Sequence, residues 1–212
     1  MNKAHITFPC GNLKLEGLFY TTVADKPLPS VIVCHPHSLH GGSMNNNVTL
    51  AIAEALSTIH VNTLLFNFRG VGTSQGNYGG GIEEQKDVEA ALDWLEKQYG
   101  VDAGRLALAG YSFGAGVAFP VACRDERVKA IAMVSPYFEV SQEGLLSSCT
   151  KPKLFVTGTN DTIVLPAAVA GYAEVSAEPK QAFFINGPDH FWGGCEEEMT
   201  GIVVQFFREI FV

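Results

Sequence analysis

Three features of the sequence predict an α/β fold, a doubly wound, mainly parallel sheet with helices on both faces. Short apolar runs of strand length recur, among them Val31-Ile32-Val33-Cys34 and Leu106-Ala107-Leu108-Ala109. Segments with apolar side chains at helical spacing lie between them, such as Val48, Ile52, Leu56 and Ile59. Clusters of Gly, Pro, Asn and Asp stand at the changeovers, so strand and helix alternate along the chain. With 212 residues, 47% of them hydrophobic, the sequence supports one well-buried core, and a single domain over 1–212 is expected.

The elements follow in order. Residues 5–8 and 13–20 alternate apolar and polar around Gly11-Asn12, which predicts an antiparallel hairpin at a sheet edge. After Pro27 and Pro29, the run 31–34 reads as a buried strand that ends in the loop His35-Pro36-His37-Ser38-Leu39-His40-Gly41-Gly42. A helix is expected over 46–59, capped by Asn45 or Asn46, then a strand over 61–68. Ile82, Val88, Leu92 and Leu95 mark one face of a helix over 82–98, stopped by Gly100. A strand over 105–109 leads through Gly110-Tyr111-Ser112-Phe113-Gly114 into a small-residue helix, which Pro120 should kink or end near Phe119. Strands are expected at 128–134, 153–157 and 181–185, and helices at 139–148, 166–175 and about 196–211. Three glutamates open the last helix, where its dipole is positive, and Phe206, Phe207, Ile210 and Phe211 form its buried face.

Composition narrows the function. The formal net charge is −8, and there is no basic cluster, which argues against nucleic acid and anionic membranes as partners. Five widely spaced cysteines, an odd number, suggest neither a disulfide framework nor a Cys-x-x-Cys site. Reduced thiols, an N-terminus without the apolar core of a signal peptide and no apolar run of membrane-spanning length lead to a cytoplasmic expectation.

The chemistry centres on Ser112. Strand, Gly-x-Ser-x-Gly and helix together describe a turn so sharp that the serine hydroxyl stands exposed in a strained backbone, with glycines where a Cβ would clash. With 22 glycines in the chain the pattern arises readily by chance, so the flanking elements carry the weight. A serine hydroxyl needs a base within hydrogen-bond reach, and the base needs an orienting partner. In parallel sheets such groups gather past the carboxyl ends of strands, where His190 stands as base and Asp161 as acid. Asp189 is the rival acid, set aside because adjacent residues rarely place one side chain on the other's ring. A tetrahedral intermediate needs two N–H donors, and Phe113 and His37 are the candidates for this oxyanion hole, with Ser38 as runner-up to His37.

His35, His37 and His40 lack a matching carboxylate or cysteine cluster, so no metal is expected. Gly70-Val71-Gly72 follows a strand, but a dinucleotide fingerprint would need its third glycine at Gln75, and no cofactor is expected. Arg69 could bind a substrate carboxylate; a pairing with a neighbouring loop acid is the preferred reading.

The motifs His35-Pro36-His37 with Gly41-Gly42-Ser43-Met44, Asn67-Phe68-Arg69-Gly70-Val71-Gly72-Thr73-Ser74, Gly110-Tyr111-Ser112-Phe113-Gly114, Asp161 and His190 span nearly the whole chain. In them the sequence resembles the α/β-hydrolase superfamily, specifically its small lid-less dienelactone hydrolase-like branch. The order Ser, Asp, His is the chain order of that superfamily. Members named for dienelactone cleavage use a cysteine nucleophile, where this chain has Ser112, and relatives often carry proline where it has Ser38. The resemblance implies an α/β-hydrolase fold without a cap domain, because the interval from Ser135 to Lys151 is too short for one. It also implies a cofactor-free serine hydrolase acting on a small-molecule ester, through an acyl-enzyme on Ser112. An open cleft walled by the loops of His37, Val71, Tyr137 and Trp192 would favour short acyl groups. The same triad also serves thioesters, amides and perhydrolysis, and the fold also occurs in non-catalytic binding modules. Oligomeric state has no signature in the sequence.

Overall fold

A computed structural model describes residues 1–138 and 142–211. Its eight strands are β1 (Asn2–Cys10), β2 (Leu13–Thr21), β3 (Leu28–Cys34), β4 (Asn62–Phe66), β5 (Val101–Tyr111), β6 (Val128–Val134), β7 (Lys153–Gly158) and β8 (Lys180–Ile185). They form one sheet in the order β1-β2-β4-β3-β5-β6-β7-β8. The hairpin β1–β2 is antiparallel and joins β4 antiparallel, and β4, β3, β5, β6, β7 and β8 run parallel. The helices are α1 (Asn47–Ser57), α2 (Glu84–Leu95), α3 (Phe113–Arg124), α4 (Glu143–Ser148), α5 (Pro166–Val175) and α6 (Glu196–Phe211).

Strand alternation splits the core into two layers. On β5, Leu106 and Leu108 pack with Val88 and Leu92 of α2, Phe119 of α3 and Val169 of α5. Ala107, Ala109 and Tyr111 point the other way, toward Ile52 and Leu56 of α1 and Val203 and Phe207 of α6. Each leucine-sized side chain buried in this way contributes about 1.5–3 kcal/mol. The sixteen-residue α6 buries Phe206, Phe207 and Phe211, and Ile210 packs at their margin.

Several expectations are refined. Asn46 caps α1, its side chain accepting from Val48 N–H at 3.0 Å. The fourth strand stops at Phe66 rather than Phe68, because Phe68 N–H leaves the ladder and donates to His35 Nε2 at 3.1 Å. Helix α2 begins at Glu84, and Ile82 is exposed rather than part of its buried face. The face instead buries two carboxylates, Glu84 and Asp87, beside Val88, Leu92 and Leu95.

Pro120 neither ends nor shortens α3, which continues to Arg124. The proline removes the N–H that would bond the Gly116 carbonyl one turn earlier. Gln142 Nε2 donates to that carbonyl at 2.7 Å instead, so the acceptor is satisfied from outside the helix. The helix expected at 139–148 is α4 from Glu143, its first residues, 139–141, lying outside the described residues. Between β6 and β7 the described residues hold this one short helix and no cap.

Candidate functional site

The site forms where three loops leave the carboxyl ends of β5, β7 and β8. Between β5 and α3, Ser112 adopts φ 53°, ψ −119°. Its N–H donates to Val134 O at 2.9 Å, which holds the turn against β6. A Cβ at Gly110 would lie 2.5 Å from Ala115 Cα, and one at Gly114 would lie 2.4 Å from the carbonyl oxygens of Cys34 and His35. No side chain fits at either position, so the two glycines allow the serine to sit above a strand and helix in near contact.

His190 enters from the loop after β8 and Asp161 from the loop after β7. His190 Nε2 lies 3.0 Å from Ser112 Oγ, and His190 Nδ1 lies 2.8 Å from Asp161 Oδ2. A carboxylate only accepts, so Nδ1 carries the proton and Nε2 is the acceptor facing the serine hydroxyl. Asp161 is itself held by its other oxygen, Oδ1, which accepts from Ile163 N–H at 3.0 Å and Val164 N–H at 2.8 Å. Burial works to raise the Asp161 pKa. The bonds from His190 and Val164 outweigh it and keep the carboxyl below its ordinary value. The rival, Asp189, turns away and accepts from Phe191 N–H at 2.9 Å.

The expected donors sit around the same serine. Phe113 is the first residue of α3, where a backbone N–H has no partner inside the helix. In the loop after β3, the His37 carbonyl accepts from His40 and Gly42, while its own N–H is bonded to nothing among the described residues. A Cβ at Gly42 would fall 2.0 Å from Pro36 O, so glycine is what lets the loop fold back on itself. Both residues, with Ser112 and His190, line one cleft of about 700 Å³.

All four loops expected to wall the cleft do so, two of them through a residue other than Val71 or Trp192. His37 and Tyr137 line it. Trp192 does not: it is wholly buried, and its neighbour Phe191, 62% exposed, takes the wall position. The Val71 loop walls the cleft through Tyr78, because Gly79 and Gly81 N–H both donate to the buried Glu84 carboxylate, at 2.7 and 2.8 Å, and fold that loop inward. Tyr78 Oη then lies 3.2 Å from His37 Nε2. Since His37 Nδ1 accepts from Leu39 N–H, Nε2 carries the proton and donates it to the tyrosine oxygen.

The remaining loop groups are structural. His35 is wholly buried, its Nδ1 bonded to Pro36 O at 2.6 Å, and burial lowers its pKa to about 4. Among the described residues no three His, Cys, Asp or Glu side chains are grouped to hold a metal. Arg69 pairs with an acid, as preferred, but with Asp87 of helix α2 at 2.7 Å, and it also reaches Glu83 at 3.0 Å. Two supporting residues escaped the sequence reading altogether. Tyr111 Oη donates to His190 O at 2.6 Å and anchors the histidine loop to β5. Glu84 was hidden in an ordinary helical charge pattern. Neither carries a spacing signal, since each acts on backbone that only the fold brings near.

Comparison with known proteins agrees with this fold. An α/β serine hydrolase homologue from Coxiella burnetii is 33% identical, each chain covering 97% of the other, at a TM-score of 0.88. A Xanthomonas campestris α/β serine hydrolase without a lid is 30% identical, covering 99% of this chain and 95% of that one, at a TM-score of 0.84. An uncharacterized protein of Rickettsia prowazekii is 32% identical over 205 residues, 93% of this chain and 85% of that one. The profile of the X-Pro dipeptidyl-peptidase (S15) family matches residues 62–149, which include the Ser112 turn.

Proposed function

The chain belongs to the α/β-hydrolase superfamily and is a hydrolase of its lid-less form, and from that premise we propose that it cleaves carboxylic esters through an acyl-enzyme on Ser112. The observation that carries the reading is the hydrogen-bonded line Asp161–His190–Ser112 opening into the cleft. Ser112 Oγ attacks the ester carbonyl as His190 Nε2 takes its proton. The developing oxyanion lies against the N–H groups of Phe113 and His37, each such donor contributing roughly 3–4 kcal/mol. His190 passes the proton to the departing alkoxide, and the alcohol leaves. Water, deprotonated by the same nitrogen, then releases the acid and regenerates the serine. Asp161 holds the tautomer and stabilises the imidazolium. These steps call for no cofactor.

The substrate is a small neutral molecule. No Lys, Arg, Asp or Glu is among the residues found to line the cleft, and Arg69 is neutralised beneath it by Asp87 and Glu83. This favours an ester over the second reading that the S15 profile offers. A dipeptidyl-peptidase must hold a substrate ammonium group, which the lining described above gives no carboxylate to receive. Nucleic acid and membranes are not partners on this reading, given the charge of −8. Among the described residues no helix is long and apolar enough to cross a membrane. Five free cysteines fit a cytoplasmic setting.

A fluorophosphonate should label wild type at a single residue and leave Ser112→Ala unlabelled, read by intact-protein mass. Equal labelling of both removes Ser112 as the nucleophile. A panel of p-nitrophenyl acetate, an acyl thioester, a simple anilide and an X-Pro p-nitroanilide separates the chemistries. Fastest turnover is expected on the acetate, and a preference for the X-Pro anilide would establish the peptidase reading instead.

A further inference from the structure

The two N–H groups assigned to the oxyanion come from different elements. Phe113 opens α3, and its place is set by that helix. His37 lies in the loop after β3, just before the short helical turn Ser38–His40. Two donors stabilise a tetrahedral oxyanion together when both are preorganised around it. The side chains of these two residues share a support. The rings of His37 and Phe113 pack with centroids 4.7 Å apart, and Tyr78 packs on both, 5.1 Å from His37 and 5.8 Å from Phe113. All three separations fall within the roughly 4.5–7 Å over which aromatic rings attract one another.

Tyr78 is fixed in turn by its own loop. Glu84, wholly buried at the start of α2, accepts from Gly79 N–H on Oε1 and from Gly81 N–H on Oε2. Both carboxylate oxygens therefore grip one short stretch of backbone, through bonds strengthened by the charge. Gly81 comes to lie against the Phe113 ring, so closely that a Cβ there would be 3.3 Å from Phe113 Cε2. At the other end of the stretch, Tyr78 Oη accepts from His37 Nε2–H at 3.2 Å, and His37 Nδ1 accepts from Leu39 N–H at 3.2 Å. Both imidazole nitrogens are engaged, so the ring cannot turn without losing both bonds. A residue that merely walled the cleft would need shape alone; a phenylalanine would supply the rings' contacts but not the acceptor for His37.

We propose that Tyr78 is a positioning residue of the oxyanion hole: held by Glu84, it locks the His37 imidazole against Phe113 and so keeps the two backbone N–H groups at the spacing a tetrahedral oxyanion requires. The loop before α2 thereby serves the reaction without touching the reacting atoms. The inference rests on the reading above in which Phe113 and His37 are the donors.

The test compares p-nitrophenyl acetate with its thiono analogue, in which sulfur replaces the carbonyl oxygen. Sulfur is larger and accepts hydrogen bonds poorly, so the oxo-to-thiono ratio of kcat/KM reads the fit of the two donors, which a general loss of folded protein does not move. Wild type should prefer the oxo ester by about 10²-fold. Tyr78→Phe keeps the ring and removes the acceptor. It should lower kcat on the acetate about fivefold with KM unchanged, the effect of losing one neutral hydrogen bond. Tyr78→Leu also removes the ring contacts; it should lower kcat roughly 30-fold and narrow the oxo-to-thiono ratio by a similar factor. Glu84→Gln, which leaves one carbonyl oxygen to accept, should fall between the two. If both tyrosine variants change KM alone, or lower kcat while the ratio stays at its wild-type value, Tyr78 is a wall of the cleft and the proposal is overturned. Equal kcat/KM of wild type on the two esters would instead remove the Phe113 and His37 donors on which it rests.

Discussion

Asp161 and Asp87 are both buried carboxylates, and they differ in what lies beyond their partners. Asp161 bonds a histidine whose far nitrogen faces a hydroxyl in an open cleft. Asp87 accepts from Arg69 N, Nε and Nη2 and from Cys10 Sγ, so both oxygens are saturated, and beyond Arg69 the network reaches only the half-exposed Glu83 carboxylate and no nucleophile. The pair is closed: the carboxylate raises the Arg69 pKa, and burial with the Asp87 bond pushes the Cys10 thiol up to about 11. Burial and a charge partner are therefore poor signs of chemistry by themselves. The informative feature is a chain of hydrogen bonds that ends at a nucleophile facing a cleft rather than at a further ion pair.

This contrast predicts opposite consequences for one substitution at two places. Asp161→Asn should lower kcat on p-nitrophenyl acetate on the order of 10⁴ by losing the tautomer lock, while Asp189→Asn stays near wild type. The reverse pattern would make Asp189 the acid. The stability cost of Asp161→Asn should also depend on pH. The folded pKa lies below the ordinary value, so the stabilisation is present above about 3.9 and is lost as pH falls through the folded value. Urea midpoints of the two proteins should converge below about pH 4.

Asp87→Asn should act on stability instead. It strands the buried Arg69 with only the half-exposed Glu83, at a cost of about 3–5 kcal/mol in urea unfolding. The double variant Arg69→Met with Asp87→Leu should regain part of that loss. Labelling of Ser112 by fluorophosphonate should stay within about threefold of wild type in the folded protein. A loss of labelling like that of Asp161→Asn would show that the closed pair serves the site directly.

The smallest effect sharpens what open means. Each methylene moved out of water gains about 0.8 kcal/mol, and an uncapped cleft offers few such places. Along a p-nitrophenyl ester series, kcat/KM should therefore stop rising within about two to six acyl carbons, with no jump at the micellar threshold. A maximum at long chains would mean that part of the molecule covers the cleft.

By itself the sequence determined the alternation of elements and the residue types of the site. The bounds expected for β6 and α5 are those observed, Val128–Val134 and Pro166–Val175, because a strand-length apolar run and a proline at a helix start act locally. It also singled out Ser112, Asp161 and His190, since a strained turn needs glycines at fixed offsets and loops past parallel strands follow the chain order. Tertiary structure alone decided what depends on neighbours distant in sequence. Pro120 stays helical because Gln142 supplies a donor from another element. Asp87 and Glu84 look like solvent charges until Arg69 and the Gly79–Gly81 backbone arrive to bond them. Phe191 rather than Trp192 faces the cleft because the indole N–H finds Ser135, 57 residues earlier. Periodicity and motif spacing encode what a segment does with its own backbone; the partner of a buried polar atom is set by packing, which no local pattern contains.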